Sequence, residues 1–574
     1  MKSLLLANEA IARGAYEAGV KVISSYPGTP STEITESAAK FSEMYVEWAP
    51  NEKVALETAI GASFAGARSM SCMKHVGLNV AADPLFTVAY SGVNAGLVVV
   101  VADDPGMHSS QNEQDSRYYA LSAHVPMLEP ADSQEAKDFV KVAYTISEKY
   151  DTPVIIRLTT RIAHSRSYVE LEDRFEADAK VFSKDVSKYV MMPAMARGRH
   201  KIVEEREKKL QEEIPNYNLN KTIIRNKKIG IVCAGNVYQY CKEATDASLF
   251  KLGLVYPIDF NAIKKFSQEV EELLVIEELE PFIEDSLKAN GIKCHGKEIF
   301  GVQGEFSVAY IREKLYGKNP PKSEALIPVR PPVMCPGCPH RSVLYALKQL
   351  RLTVNGDIGC YTLGASAPIS AVDACVCMGA SIGLSHGFDK ANPENSKKTV
   401  SVIGDSTFVH SGITGLINAV YNQGKSTIII LDNSITGMTG HQDNPTTGKT
   451  IRGEHTYQLN LKELCEACGA SSVRVVDSYN IDEVKKVIKE ELERPSVSVV
   501  IARRPCALLI KKHAPYQKIL QDKCKNCGMC LAIGCPAIEK RSDGMPINKE
   551  LCVGCKVCNQ MCKFGAIVQG DSNE

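Results

Sequence analysis

The segment Thr399-Val400-Ser401-Val402-Ile403-Gly404-Asp405-Ser406 is an apolar run that ends in a Gly-Asp turn. A helical pattern follows, and a second apolar run, residues 426–431, ends in Asp432-Asn433-Ser434-Ile435-Thr436-Gly437. Two buried strands joined by a helix predict neighbouring parallel strands in a doubly wound α/β sheet. Because parallel strands end at the same edge of a sheet, we expect Asp405 and Asn433 to lie close together there.

The polar groups at this edge suit a magnesium ion that is bound to phosphate. A carboxylate, an amide oxygen and a main-chain carbonyl are ligands that Mg²⁺ prefers, and phosphate oxygens would complete its octahedron. Gly404 would let the main chain approach those phosphates closely. A plain turn at the sheet edge is the alternative. A P-loop ending at residues 446–450 is rejected because Asp443 stands where its first glycine is required.

The overall composition indicates a globular protein with several domains. The 574 residues exceed what one core can organise, and 44% are hydrophobic and 23% charged. The 67 basic residues balance 67 acidic ones, which gives no support for nucleic acid or a membrane surface as partner. No apolar stretch reaches the ~18 residues that span a bilayer, and Glu9 comes too early for a signal peptide. We therefore expect a cytoplasmic protein.

The 20 cysteines of such a protein indicate metal or cluster binding rather than disulfides. The C-terminal tail contains two C-x2-C-x2-C runs, each followed by another cysteine. This pattern is typical of a ferredoxin with two [4Fe-4S] clusters, in which the fourth cysteine of each run binds the other cluster. The expected ligands are Cys524, Cys527, Cys530 and Cys562 for the first cluster and Cys552, Cys555, Cys558 and Cys535 for the second.

The tail departs from the usual ferredoxin pattern at two places. The gap between Cys530 and Cys535 holds four residues instead of three, and Lys563 stands where the second run would have proline. Either change is of a kind that shifts a reduction potential or loosens one cluster.

The Gly404-Asp405 turn resembles the thiamine diphosphate motif, in which Gly-Asp-Gly is followed further along the chain by asparagine. Ser406 takes the third position here, and the second strand ends in an Asp-Asn doublet. The resemblance implies that Asp405, Asn433 and the main-chain carbonyl of Ile435 bind Mg²⁺. It also places Gly404, Ser406 and Gly437 at the cofactor.

The N-terminal third resembles the pyrimidine-binding domain of the thiamine-dependent 2-oxoacid:ferredoxin oxidoreductases. The segments that carry this resemblance are Tyr26-Pro27-Gly28-Thr29-Pro30-Ser31-Thr32-Glu33, Asn51-Glu52-Lys53-Val54-Ala55-Leu56-Glu57 and Gly61-Ala62-Ser63-Phe64-Ala65-Gly66. The family implies that Tyr26, Pro27 and Thr29 contact the cofactor. It also implies that Glu52 is the catalytic acid, which hydrogen-bonds the aminopyrimidine ring, with Glu57 as the alternative. Further along, Lys74 or His75 either faces the substrate or is structural.

The resemblance covers nearly the whole chain and implies a multidomain α/β fold. The expected domains are a pyrimidine-binding domain at residues 1–190, a charged, exposed helical linker at 191–225, a transketolase-C-terminal-like α/β domain at 226–325, a diphosphate-binding domain at 326–515 and a ferredoxin-like α+β domain at 516–574.

A third [4Fe-4S] cluster, beside the thiamine, follows from the same resemblance. Its expected ligands are Cys335, Cys338, Cys360 and Cys506, and the alternative is that one or more of these thiols is structural. The remaining cysteines of this region are expected to be small buried apolar residues, namely Cys375, Cys377, Cys465 and Cys468.

The family implies a catalytic alpha subunit that converts a 2-oxoacid oxidatively to an acyl-CoA, CO₂ and reduced ferredoxin. A smaller beta subunit would complete a heterodimer or an α2β2 assembly. The domain order is similar to that of family members that act on indolepyruvate and other arylpyruvates. The alternatives are another 2-oxoacid specificity, a non-oxidative thiamine decarboxylase and a non-catalytic iron–sulfur subunit. The tail argues against the decarboxylase, because that chemistry needs no electron route.

Overall fold

The computed structural model describes residues 1–317, 328, 331–542 and 544–570. It divides the chain into two compact units, Met1–Leu326 and Ile327–Glu574, called unit 1 and unit 2 below. The expected domain boundary between residues 325 and 326 and the neighbouring Pro320-Pro321 pair lie outside the described residues.

Unit 1 alternates strands and helices along its length. Its strands are β1 (Lys2–Leu6), β2 (Val22–Ser25), β3 (Tyr45–Trp48), β4 (Ser69–Lys74), β5 (Leu97–Asp103), β6 (Met127–Leu128), β7 (Val154–Thr159), β8 (Arg166–Glu170), β9 (Lys221–Ile223), β10 (Asn226–Ala234), β11 (Ala247–Leu252), β12 (Leu254–Tyr256) and β13 (Glu272–Ile276). Its helices are α1 (Ala7–Glu17), α2 (Thr32–Ala38), α3 (Glu52–Phe64), α4 (His75–Val80), α5 (Ala82–Ser91), α6 (Arg117–Ala123), α7 (Ser133–Tyr150), α8 (Thr160–His164), α9 (Val186–Tyr189), α10 (Pro193–Glu213), α11 (Gly235–Ala244), α12 (Phe260–Ser267), α13 (Phe282–Ala289), α14 (Lys297–Phe300) and α15 (Val308–Tyr316).

The large sheet of unit 1 has the strand order β12-β6-β7-β5-β4-β2-β3 and is parallel except at β12. Its central strand β5 is buried along its whole length, as an uninterrupted apolar run in a parallel sheet requires. A smaller sheet has the order β13-β10-β11-β9. One hydrophobic cluster includes side chains from both sheets, such as Val99 and Val232, so the two expected α/β domains of unit 1 share a core.

The charged segment that follows residue 190 forms the helix α10, as expected, but one face of this helix is buried. Val203 and Leu210 are fully packed, and the guanidinium of Arg199 donates to the carbonyl of Tyr90 at 2.6 Å. Arg206 donates to the carbonyl of Asp151 at 2.6 Å. The expectation of an exposed linker is therefore wrong for this face, because two buried arginines and the side chains of Val203 and Leu210 pack against the rest of unit 1.

Unit 2 contains a parallel sheet, and the tail adds a short antiparallel one. The strands are β14 (Thr353–Asn355), β15 (Thr399–Gly404), β16 (Thr427–Asp432), β17 (Ser472–Asp477), β18 (Ser498–Arg503), β19 (Gln517–Ile519) and β20 (Ile567–Gln569). The helices are α16 (His340–Leu350), α17 (Ala380–Ala391), α18 (Asp405–Thr407), α19 (Ile413–Tyr421), α20 (Leu461–Ala467) and α21 (Ile481–Leu492).

The main sheet of unit 2 has the order β14-β15-β16-β18-β17, and every neighbouring pair is parallel. Separate hydrophobic clusters cover its two faces, as in a doubly wound sheet. Side chains of the tail, among them Ile533 and Met561, belong to the same cluster as Val402 of β15. The α/β fold class is confirmed, and the tail packs into the core of the larger domain. No helix in the described part of the chain is long and apolar enough to cross a membrane.

Candidate cofactor and cluster sites

Asp405 and Asn433 lie at the same edge of the unit 2 sheet. Gly404 at the end of β15 pairs with Leu431 of the neighbouring β16, so the turns that follow both strands meet. One terminal atom of the Asn433 carboxamide is 3.1 Å from Oδ1 of Asp405 and 2.7 Å from the carbonyl oxygen of Ile435. When the amide oxygen occupies that position, three oxygens converge on one point. The carboxamide nitrogen then faces Nε2 of the buried His340 at 3.5 Å.

This donor set fits the cation that the sequence predicts. A carboxylate, an amide oxygen and a main-chain carbonyl are all hard oxygen ligands, which Mg²⁺ favours together with phosphate oxygens. In the opposite amide orientation the nitrogen would donate to both neighbouring oxygens, which satisfies them without a cation. Only the orientation with the amide oxygen toward Asp405 offers a cation three oxygen ligands.

The Asp405 carboxylate is buried, and a bound cation would stabilise its negative charge. Burial raises the pKa of its carboxyl group to about 7, and the neighbouring Asp432 adds to this shift, while a hydrogen bond from Thr446 opposes it. The Thr446 hydroxyl donates to Oδ2 of Asp405 at 2.9 Å, and the main-chain amide of Thr446 donates to Oδ1 of Asn444 at 2.9 Å. Sequence reasoning missed Thr446 and Asn444. The only signal for them in the sequence is weak, because hydroxyl and amide side chains are common in any turn.

The glycine of the Gly-Asp turn is required by packing. A Cβ atom on Gly404 would lie 2.9 Å from Cε1 of Tyr361. The amide of Gly404 also donates to the Tyr361 hydroxyl at 2.9 Å. Glycine at this position therefore has two explanations: the expected close approach of phosphate, and the room that the Tyr361 ring needs. Ser406 is tied to the next turn, because Thr436 donates to its hydroxyl at 2.9 Å.

The structure brings the four cysteines of the expected third cluster together. Burial raises the pKa of the Cys360 thiol to about 11, and the nearby thiols of Cys506 and Cys335 add to the shift. Burial also raises the pKa of Cys338 to about 12, with Cys360 and Cys335 as electrostatic neighbours. Thiols that are this hard to deprotonate become good ligands only when iron or another cation stabilises the thiolate.

This thiol group lies at the same sheet edge as the oxygen site. The amide of Cys506 donates to the main-chain carbonyl of Asn433 at 2.9 Å. A Cβ atom on Gly437 would be 3.5 Å from Sγ of Cys360. The cysteines and the expected Mg²⁺ ligands are therefore neighbours within unit 2.

Each expected cysteine set of the tail surrounds its own cavity. A partly open cavity is lined by Cys524, Cys527, Cys530 and Cys562. A second cavity is lined by Cys535, Cys552, Cys555 and Cys558, and also by Cys338. The crossed assignment of the fourth cysteines thus agrees with the spatial grouping. In the described ranges no three Cys, His or acidic side chains lie close enough to hold a single ion.

Glu52 is the first residue of α3 in unit 1 and is buried, with only 5% of its surface exposed. The Asn51 side chain caps this helix by accepting from the amide of Val54 at 2.9 Å. A Cβ atom on Gly77 would lie 2.6 Å from Oε1 of Glu52, so the carboxylate needs glycine at that position. Glu57, the alternative, forms an exposed ion pair with Lys53 on the same helix. The structure therefore favours Glu52 as the functional carboxylate.

The Tyr26–Pro30 turn lies next to a buried lysine. Tyr26 is buried, and the carbonyl of Thr29 accepts from the Ser109 hydroxyl at 3.2 Å. Lys74, at the end of β4, donates from Nζ to the main-chain carbonyl of Ser109 at 2.6 Å. Burial lowers the pKa of Lys74 to about 8, against the opposing effect of Asp104. His75 is also buried, and burial lowers its pKa.

Three family models match the chain. Residues 13–219 match the model described as pyruvate flavodoxin/ferredoxin oxidoreductase, thiamine diphosphate binding. Residues 357–502 match the C-terminal thiamine pyrophosphate-binding domain of thiamine pyrophosphate enzymes. Residues 545–568 match a 4Fe-4S binding domain.

Curated relatives match along almost the full length. The indolepyruvate oxidoreductase subunit IorA of Pyrococcus abyssi is 42% identical, over 98% of this chain and 96% of the relative. The subunit of the same name from Archaeoglobus fulgidus is 39% identical, over 100% of this chain and 98% of the relative. The subunit of the same name from Methanothermobacter thermautotrophicus is 40% identical, over 99% of this chain and 97% of the relative.

This chain belongs to the IorA family of indolepyruvate oxidoreductase subunits. Membership in this family, together with the matched domains, makes the chain an oxidoreductase subunit of the thiamine-dependent 2-oxoacid:ferredoxin type. Thiamine diphosphate and iron–sulfur chemistry are therefore properties of the chain itself.

One expectation about the remaining cysteines of this IorA-family chain is wrong. Cys465 is buried, as expected, but Cys377 is exposed, and Cys375 and Cys468 are half-buried. Cys377 lies in an irregular segment just before α17. The sequence pattern of that segment does not predict which of its residues are buried.

Proposed function

We propose that this chain is the catalytic alpha subunit of an indolepyruvate:ferredoxin oxidoreductase. It oxidatively decarboxylates indolepyruvate and other arylpyruvates to aryl-acetyl-CoA and CO₂, and it reduces ferredoxin. A smaller beta subunit completes a heterodimer or an α2β2 assembly, which the relatives' designation as a subunit supports. The 20 cysteines support a cytoplasmic location, because a reducing compartment keeps thiols available for cluster binding.

The observation that carries this proposal is the shared sheet edge of the oxygen site and the thiols. The hydrogen bond from Cys506 to Asn433 joins the expected Mg²⁺ ligands to the expected cluster ligands. A non-oxidative thiamine enzyme needs only the first of these sites. A non-catalytic electron-transfer subunit needs only the second. The presence of both favours an oxidative enzyme in which electrons leave the cofactor directly into the protein.

Each part of the chain has a distinct task in this proposal. Asp405, Asn433 and the carbonyl of Ile435 would hold Mg²⁺ and thereby fix the diphosphate. Glu52 would hold a proton at the aminopyrimidine ring. Thiamine diphosphate, when bound, supplies the carbon nucleophile and the electron sink that decarboxylation requires. The tail cysteines would hold two [4Fe-4S] clusters, and the set at Cys335 a third.

Replacement of Glu52 by Gln tests the catalytic assignment. We expect E52Q to lose ketoacid-dependent dye reduction while its iron content and its visible spectrum stay unchanged, because only the proton-holding group is removed. The matched control is E57Q on the same helix, which should keep full activity. Unchanged activity of E52Q would remove Glu52 from the mechanism.

The iron content tests the number of clusters. Anaerobically purified protein should contain about twelve iron atoms and as many acid-labile sulfides per chain, corresponding to three [4Fe-4S] clusters. The C506S variant should lose about four of each, whereas C465S should lose none. About eight irons in the wild-type protein would leave only the tail clusters and assign Cys335 and Cys338 a structural role.

A further inference from the structure

Arg341 is a buried cation without an acidic partner in the described part of the chain. It lies in the first turn of α16, directly after the Cys335-Pro336-Gly337-Cys338 turn, and 4% of its surface is exposed. A buried guanidinium costs free energy unless hydrogen bonds and nearby negative charge compensate for its lost hydration. The groups that compensate this buried charge therefore indicate what the arginine does.

The guanidinium of Arg341 connects two loops that carry cysteine ligands. On one side it donates to the main-chain carbonyls of Met334 and Cys335, the latter from Nε at 3.2 Å. On the other side it donates to the carbonyls of Ile533 and Gly534, the former at 3.3 Å. Gly534 immediately precedes Cys535, so one side chain holds a loop from each of two cysteine sets.

The titratable neighbours of Arg341 are cysteines of two ligand sets. Burial lowers the pKa of its guanidinium, and negative charge at Cys535, Cys338, Cys335 and Cys555 opposes that shift. Arg341 also lines the cavity that the second tail set surrounds, together with Cys338. It is not among the residues that line the cavity of the first tail set.

We propose that Arg341 is an electrostatic bridge between the cluster beside the thiamine and the second tail cluster, and that its charge raises the reduction potentials of these two clusters selectively. The proposal rests on the cluster assignments of the proposed function. Each cluster gains one negative charge when it accepts an electron. A fixed positive charge in a buried, low-dielectric position stabilises the reduced form more than the oxidised form. Arg341 would thus favour the passage of electrons from the thiamine site into the tail.

A purely structural role would have different consequences. An arginine that only ties the two loops together would affect how firmly clusters are retained, and its loss would leave the potentials of the retained clusters in place. A charged bridge shifts potentials, and it does so only for the two clusters that it faces. The first tail cluster is therefore an internal reference within the same molecule.

Redox titration of the holoenzyme, followed by EPR, tests the proposal. Wild-type protein must first show three clusters, since two would contradict the bridge while leaving the proposed function with the tail clusters alone. In R341Q we expect the midpoint potentials of the cluster beside the thiamine and of the second tail cluster to become more negative. The potential of the first tail cluster should stay unchanged. Three loaded clusters with unshifted potentials in R341Q would overturn the inference while leaving the proposed function intact.

The R341K variant keeps the proposal testable if R341Q fails to load its clusters. Lysine retains the positive charge, but its shorter ammonium cannot reach all the carbonyls that the guanidinium fork contacts. We expect a smaller negative shift in R341K, confined to the same two clusters. A shift of the first tail cluster as large as that of the other two would show that the arginine acts through general structure.

Discussion

Lys74 is a residue whose buried charge should affect the stability of unit 1. Its ammonium group has hydrogen bonds to Ser109 and no ion pair with an acidic residue among the described residues, and burial lowers its pKa to about 8. The unfolded chain keeps this proton up to the ordinary lysine pKa near 10.5. Between these two values the unfolded state binds more protons, so the stability of the folded state rises with pH across that window.

We therefore predict that K74M stabilises unit 1 at pH 7 by about 1–3 kcal/mol, less whatever the lost hydrogen bonds contribute. The advantage over wild type should shrink as pH rises from 8 to 10. Melting temperatures of both proteins across this range measure the effect. The exposed Lys40 provides the control, because K40M should show no such trend. An advantage of K74M that does not change with pH would contradict the prediction.

At the scale of secondary structure, α10 shows that a charged helix can be part of a core. The buried face of this helix contacts α5 and the end of α7 through two arginines, while Leu210 is 1% exposed.

We predict that L210A destabilises unit 1 by about 2–4 kcal/mol, because it leaves a cavity under the helix. The matched variant I202A changes an exposed residue of the same helix and should cost under about 1 kcal/mol. Thermal unfolding of both variants compares them, and equal effects would mean that α10 is not docked in solution.

At the scale of the whole molecule, unit 2 combines the thiamine-binding sheet and the cluster-bearing tail in one core. Ile533 and Met561 of the tail belong to the same hydrophobic cluster as the sheet.

We predict that oxidative removal of the iron–sulfur clusters lowers the melting temperature of unit 2, and that unit 2 still unfolds in one cooperative transition. It should also weaken the binding of thiamine diphosphate. Calorimetry and cofactor titration on protein with and without its clusters test this. A separate early transition of the tail, with unchanged cofactor binding, would show that the tail is independent.

Much of the candidate site could be predicted because its signals are local in the sequence. The Gly404-Asp405 turn and the regular cysteine spacing of the tail each lie within a short segment, and each predicts one local geometry. The α/β fold, the family and the oxidoreductase function that these segments predicted are confirmed. The roles of Glu52 and of the individual cysteines stay predictions, and the structure supports them through burial and spatial grouping.

The sequence by itself determined the chemistry of this protein, because ligand type and spacing are properties of short segments of chain. The tertiary structure decided which distant segments share an environment. It placed Thr446 on Asp405, Arg341 between two cysteine sets, and one face of α10 in the core of unit 1. Each of these depends on loops and helices far apart along the chain coming together. Burial, not residue type, then changes the energetics of a charge, and no local pattern in the sequence reports burial of that kind.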